Sequence, residues 1–199
     1  MKCLLLLLLI LNFVSCSSKR LDQVPAIVIT EVNPNKWTYL TKQNMLQLAQ
    51  VYDLSPFLYT NKILVQSNVI STAFPVMTLN TKYSEEPKNI LSMWLREEFH
   101  WWIRQNKVNA DLAVKELKKI YPKVPVPRGS HSIHLHIIAC YLEFKALEHY
   151  LGPKEARNVT QQIMKKDKLY SWVYYQILYK NFAIEKIIEK YQLLPPPLS

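Results

Sequence analysis

Residues 95–102 read L-R-E-E-F-H-W-W. In a helix, His100 lies one turn beyond Arg96, and Glu97 projects beside both. With His in place of Arg96 the stretch would read H-E-x-x-H-W. Two imidazoles at i and i+4 can reach one zinc ion. The intervening Glu can then act as general base on a metal-bound water whose pKa the zinc lowers to about 7. Glu97 is therefore a candidate catalytic base and His100 a candidate metal ligand. Arg96 stands at a degenerate ligand position. A guanidinium has five donors and no acceptor, does not deprotonate in proteins, and cannot ligate zinc. E-x-x-H by itself arises by chance on any helix, so its surroundings matter.

The elements that must position these residues can be read from periodicity and turn residues. A-I-V-I-T-E-V (26–32) is β-branched and reads as a strand, followed by an N-P-N turn at 33–35. Residues 41–52 read as a helix with Met45, Leu48 and Tyr52 on one side. Strand-like runs follow at 57–60, 63–70 and 76–81. Pro87 suits a first helical turn. Residues 88–105 carry Ile90, Leu91, Trp94, Leu95 and Trp102 near the 3.6 period. Further helices are expected at 110–121, 132–151, 154–166 and 170–191, with an extended proline-rich loop at 121–130. Gly152 closes one helix and Pro153 opens the next. The tail, 195–199, is expected to be extended. The order is a small β-rich N-terminal half followed by a helical C-terminal half, an α+β fold.

Longer strings carry a resemblance. A-F-P-V-M-T-L-N-T-K (73–82) followed by L-R-E-E-F-H-W-W resembles a family of zincin-type metallopeptidase-like proteins with a pattern close to H-P-V-L-T-L-N-T-R and then H-E-Q-x-H-W. H-I-I-A-C-Y-L-E-F-K-A-L (136–147) is similar to that family's H-L-I-V-x-x-L-E-x-x-A-L. The later L-G-P-K-E-A and Y-S-W-V-Y-Y also look like it, so the likeness spans roughly residues 45–195. This chain departs from the pattern at Arg96 and at Phe74, where the family has His. The resemblance implies a zincin-like α+β domain, zinc-dependent peptide hydrolysis, Glu97 as base and His100 as zinc ligand. It places the remaining ligand on the later helix, with His136 the first choice and Glu143, two turns on, the second.

His131, His134 and His136 also form a cluster of their own. They can either replace the ligand lost at Arg96 or simply bond backbone carbonyls. Trp94, Trp101 and Trp102 read as core and cleft wall. Tyr170 and Tyr174 can stabilise an oxyanion or merely pack. Without metal, an Arg96–Glu97 or Arg96–Glu143 ion pair is expected to fill the space.

Composition bounds the rest. The chain has 199 residues, 49% hydrophobic, with 2 Gly and 12 Pro. That suffices for one core and argues against disorder. No G-x-G-x-x-G or G-K-[ST] is present, which sets nucleotide binding aside. The net charge is +10, but the basic residues are scattered, with short pairs at Lys118-Lys119 and Lys165-Lys166, and no nucleic-acid motif accompanies them.

Residues 1–15 read as a signal peptide: Lys2, then an unbroken apolar run at 4–11. That run is shorter than the about 20 residues a transmembrane helix needs. F-V-S-C-S-S-K (13–19) resembles a bacterial lipobox with Phe13 in place of the usual Leu, which would make Cys16 the lipidated first residue. The other reading is ordinary cleavage near residues 15–18. Residues 16–24 form a tether, 25–195 one domain and 195–199 a Pro-rich tail. Cys140 is then left alone, so no internal disulfide is expected despite export. The combined expectation is an exported, lipid-anchored protein with a peptide or protein as substrate or partner. It is weakly active or inactive if the site is degenerate, and an active hydrolase if another His compensates. A third possibility is a non-enzymatic envelope interaction protein.

Overall fold

The computed structural model describes residues 27–125, 133–167 and 170–198. The signal peptide, the tether, Cys16 and His131 lie outside the described residues. In chain order the elements are β1 (Val28–Val32), α1 (Lys36–Val51), a 3-10 turn (Ser55–Phe57), β2 (Lys62–Gln66), β3 (Met77–Asn80), α2 (Pro87–Gln105), α3 (Lys107–Ile120), α4 (Ile133–Leu151), α5 (Pro153–Lys166), α6 (Ser171–Tyr179), α7 (Phe182–Lys190) and a final 3-10 turn (Pro196–Leu198). The fold is α+β and mostly helical.

The sheet has the order β1-β2-β3 and is parallel throughout. Parallel neighbours need a long crossover. Helix α1 provides it between β1 and β2. Residues 67–76 provide it between β2 and β3, returning so that Thr72 pairs antiparallel with Thr78 on the outer edge of β3. Side chains alternate across a strand, and the register aligns Ile29, Ile63 and Met77 in one buried row and Val65 with Leu79 in the next. That face packs against helices.

Helix α1 begins about a turn earlier than its apolar pattern suggests. The Asn35 side chain accepts from the backbone N–H of Trp37 and Thr38, and Thr38 Oγ1 accepts from Asn35 N, closing a capping box. Residues 57–60 are not a strand. The Tyr59 and Thr60 N–H groups donate to the Glu98 carboxylate at 2.8 and 3.1 Å instead of to a neighbouring strand.

Helix α2 is the axis of the molecule. Every residue from Asn89 to Phe99 is buried. It is enclosed because α1, β3, α4 and α5 all pack against it. Pro87 occupies its first turn, where the missing N–H has no helical partner to lose. Helix α4 is equally enclosed, with Ile137 to Phe144 all buried. The expected single helix over 170–191 is two. Helix α6 turns Val173, Tyr174, Ile177 and Leu178 inward and packs on α4 and α5, whereas α7 turns Ile184, Ile187 and Ile188 inward and packs on α3 and α4. One straight rod cannot present both faces, and the chain breaks at Lys180–Asn181. The tail closes in a 3-10 turn instead of staying extended, and Leu193 O just before it accepts from Trp102 Nε1 at 2.8 Å.

Candidate functional site

Helices α2 and α4 pack along each other and face their polar residues into one cleft of about 640 Å³. Its floor carries Arg96, Glu97 and His100 from α2 and His136 from α4. Tyr170, at the start of α6, closes one side with Tyr83 and Asp167. The 69–74 loop is the opposite lip, with Ile70 82% exposed.

Arg96 is only 8% exposed, yet it lines the cleft. Its Nε lies 3.5 Å from Glu97 Oε1, and its Nη1 donates to the Tyr174 hydroxyl at 3.2 Å. The Tyr170 ring lies 5.1 Å from the guanidinium carbon, a cation–π distance. Tyr174 OH in turn donates to Glu143 at 3.0 Å, and Ser92 Oγ donates to the same carboxyl. A continuous polar chain therefore runs Ser92, Glu143, Tyr174, Arg96, Glu97. The expected Arg96–Glu97 ion pair is present, and Arg96 reaches Glu143 through one hydroxyl.

Electrostatics follow from burial. Desolvation opposes the Arg96 charge, but Tyr174, Glu97 and Glu143 outweigh it and hold the group above its ordinary pKa. Burial raises Glu97, with Arg96 partly offsetting. Burial likewise pushes Glu143 up to about 7 against the pull of Arg96, Ser92 and Tyr174. One cation faces two buried carboxyls, so ionising both is costly.

His100 and His136 meet edge to face with ring centroids 4.9 Å apart. Burial, and then the neighbouring His136 and Arg96, lower His100 to about 3, so it is a neutral imidazole. His136 Nε2 lies 3.0 Å from the Tyr170 hydroxyl, and their rings are 4.7 Å apart.

The predicted site residues therefore converge in part. Arg96, Glu97, His100 and His136 share the cleft floor, and Glu143 sits behind it, fully buried. His134 does not join them. Its Nε2 contacts the Tyr121 carbonyl oxygen at 2.9 Å at the end of α3, the carbonyl-bound alternative for the histidine cluster. Trp94 is core, its Nε1 donating to Glu98 at 3.1 Å. Trp101 packs tilted against Phe74 with ring centroids 4.6 Å apart, and Arg104 lies over Phe74. Trp102 packs beside Tyr59 at 5.4 Å. Sequence reasoning missed Ser92, although it stands one turn before Arg96 on the same face. It also missed Tyr83, which carries no motif.

A catalytic zinc site has three protein ligands and an open position. Among the described residues no group of three or more His, Cys, Asp or Glu is disposed to hold a metal ion. His100 and His136 give two imidazoles. The Glu143 oxygens are taken by Ser92 and Tyr174, and the neighbouring Arg96 has no acceptor to offer a metal. The described residues do not fit a catalytic zinc.

Compared with family models, curated proteins and solved structures, the chain matches none.

Proposed function

We propose that this chain is an exported, lipid-anchored, metallopeptidase-like protein of zincin type whose hydrolytic site is degenerate. Its cleft binds a peptide or protein segment without cutting it. The observation that carries this reading is the Arg96 guanidinium, paired with Glu97 at 3.5 Å and joined to Glu143 through Tyr174. The group expected to activate water and a group expected to ligate are both committed to a side chain that cannot bind metal. A general base needs a free acceptor near its proton, and Glu97 spends part of its charge on Arg96. The close pairing of the Arg96-Glu97-His100 helix with the His136-Glu143 helix supports the zincin-type reading. Export and anchoring rest on the N-terminal sequence.

The test is zinc content by elemental mass spectrometry on tag-free protein, wild type beside R96H. The wild type is expected to carry essentially none. R96H, with two imidazoles at i and i+4 facing His136, is expected to approach about one zinc per chain. Stoichiometric zinc in the wild type overturns the reading. It would favour the second one, an active hydrolase built on the His100–His136 pair, which their 4.9 Å approach makes the specific alternative.

A further inference from the structure

Two side chains that line the cleft carry hydrogen-bond donors without acceptors. Arg96 has five N–H donors, and among the described residues only its Nε and Nη1 have partners. The Nη2 amino group has none, although the side chain lines the cleft. Tyr83, 4% exposed, also lines the cleft, and its hydroxyl is buried with no hydrogen-bond partner. Burial, then Asp167, with Arg96 partly opposing, push that hydroxyl up to about 12, so it remains an O–H donor. A buried polar group without a partner costs about 1–3 kcal/mol, and each such group in a folded protein calls for an explanation. The Tyr83 hydroxyl is such a group, and together with the unpartnered Arg96 Nη2 on the same cleft it calls for one acceptor.

Resting on the peptide-binding reading above, we infer that Arg96 and Tyr83 together form a receptor for a ligand carboxylate. Arg96 presents its unused Nη2 amino group and Tyr83 its hydroxyl. A guanidinium matches a carboxylate in plane and spacing, and charge-assisted bonds of this kind are about twice as strong as neutral ones. Glu97 engages Arg96 through Nε and leaves the Nη2 group available. The Arg96 guanidinium lies over the Tyr170 ring, and Tyr174 holds Nη1, so the hook is preorganised. The residue next to the carboxylate meets Phe74, backed by Trp101 and Arg104, which suits an apolar or aromatic side chain. The carboxylate has two possible sources, a free peptide C-terminus or an internal Asp or Glu side chain.

The probes are N-acetylphenylalanine and its amide, then a peptide set in three forms: free acid ending in Phe, the same peptide amidated, and an amidated peptide with an internal Asp-Phe. Binding is read by calorimetry and by the Arg Nε resonance in NMR. The free-acid forms are expected to bind at least about tenfold tighter than the amides, the ratio that about 1.4 kcal/mol represents. R96Q should abolish that ratio, and Y83F should cut it about threefold to tenfold with a melting temperature that does not fall. R96K, which keeps the charge and loses the fork, should recover only part of it. Tight binding of the amidated Asp-Phe peptide assigns the side-chain source; discrimination by the free terminus alone assigns the C-terminal source. Equal binding of acid and amide peptides overturns the carboxylate receptor and leaves the peptide reading standing. Binding of N-acetylphenylalanine but of no peptide does the reverse. No binding of any probe overturns both.

Discussion

Glu98 carries no candidate role in the sequence, yet it is among the most committed side chains in the protein. It is fully buried and accepts from Tyr59 N, Thr60 N and Trp94 Nε1. Burial nevertheless pushes it up to about 7, the three bonds only partly offsetting. Replacing it by Ala leaves three buried donors unpaired, so E98A is expected to lower stability by about 3 kcal/mol or more. E98Q keeps an acceptor oxygen and should cost about 1 kcal/mol. Urea unfolding at fixed pH with an unchanged slope checks both; equal effects would show that the acceptor is not what matters. Glu97, Glu98 and Arg96 are consecutive and all buried, but they do different things because helical geometry points each toward a different neighbour. The i and i+4 spacing made Arg96, Glu97 and His100 legible as one constellation. Nothing in the spacing marked Glu98 as the anchor of the 59–60 loop. Tyr83 was equally invisible, because an unpartnered hydroxyl is a property of its surroundings.

At the scale of elements, the sequence reading found the helices and erred where packing or capping decides. Helix α1 owes its early start to Asn35, whose side chain holds the first turn from outside the apolar pattern. N35A removes that cap and is expected to cost about 1 kcal/mol, lowering Tm by about 3 °C for a chain of this size. No change in Tm would mean that the sheet and α2 alone hold the helix end. The 170–191 stretch was read as one helix because its apolar spacing is nearly continuous. Its split into α6 and α7 answers to two different partners, α5 and α3, that periodicity does not name. The 57–60 run failed as a strand for the related reason that its N–H groups found a carboxylate 38–39 residues away.

For the molecule as a whole, enclosing α2 among its neighbours concentrates ionisable groups in the core. Burial raises Glu97, and raises Glu98 and Glu143 to about 7. A carboxyl whose folded pKa exceeds its unfolded value near 4.3 binds protons more tightly when folded. Its stabilisation is fully present below the unfolded pKa and is lost as pH rises through the folded one. His100, lowered to about 3, acts the other way, costing stability as pH falls below about 6.5. Three groups oppose one, so stability should decline between pH 5 and pH 8. A higher urea midpoint at pH 5 than at pH 8 is the expected result. The reverse order would mean that Glu97, Glu98 and Glu143 are ionised in the fold at low cost. The scattered lysines form surface pairs, such as Lys166–Glu86 and Lys190–Glu116, and surface pairs contribute little to stability.

What the sequence by itself determined is local. The strand-like runs at 26–32 and 76–81, the Pro87 start, the Gly152–Pro153 break and the one-turn spacing of Arg96 and His100 depend on residues a few positions apart, where dihedral preference and period suffice. That Arg96 cannot ligate a metal is of this kind, since a guanidinium has no acceptor in any setting. The tertiary structure decided which distant groups meet: His136 against His100, Tyr174 between Arg96 and Glu143, His134 turned to the Tyr121 carbonyl, and Tyr83 left facing the cleft. Those outcomes depend on how α2, α4 and α6 pack, and packing is a property of complementary surfaces contributed by segments up to 78 residues apart, which no local pattern encodes.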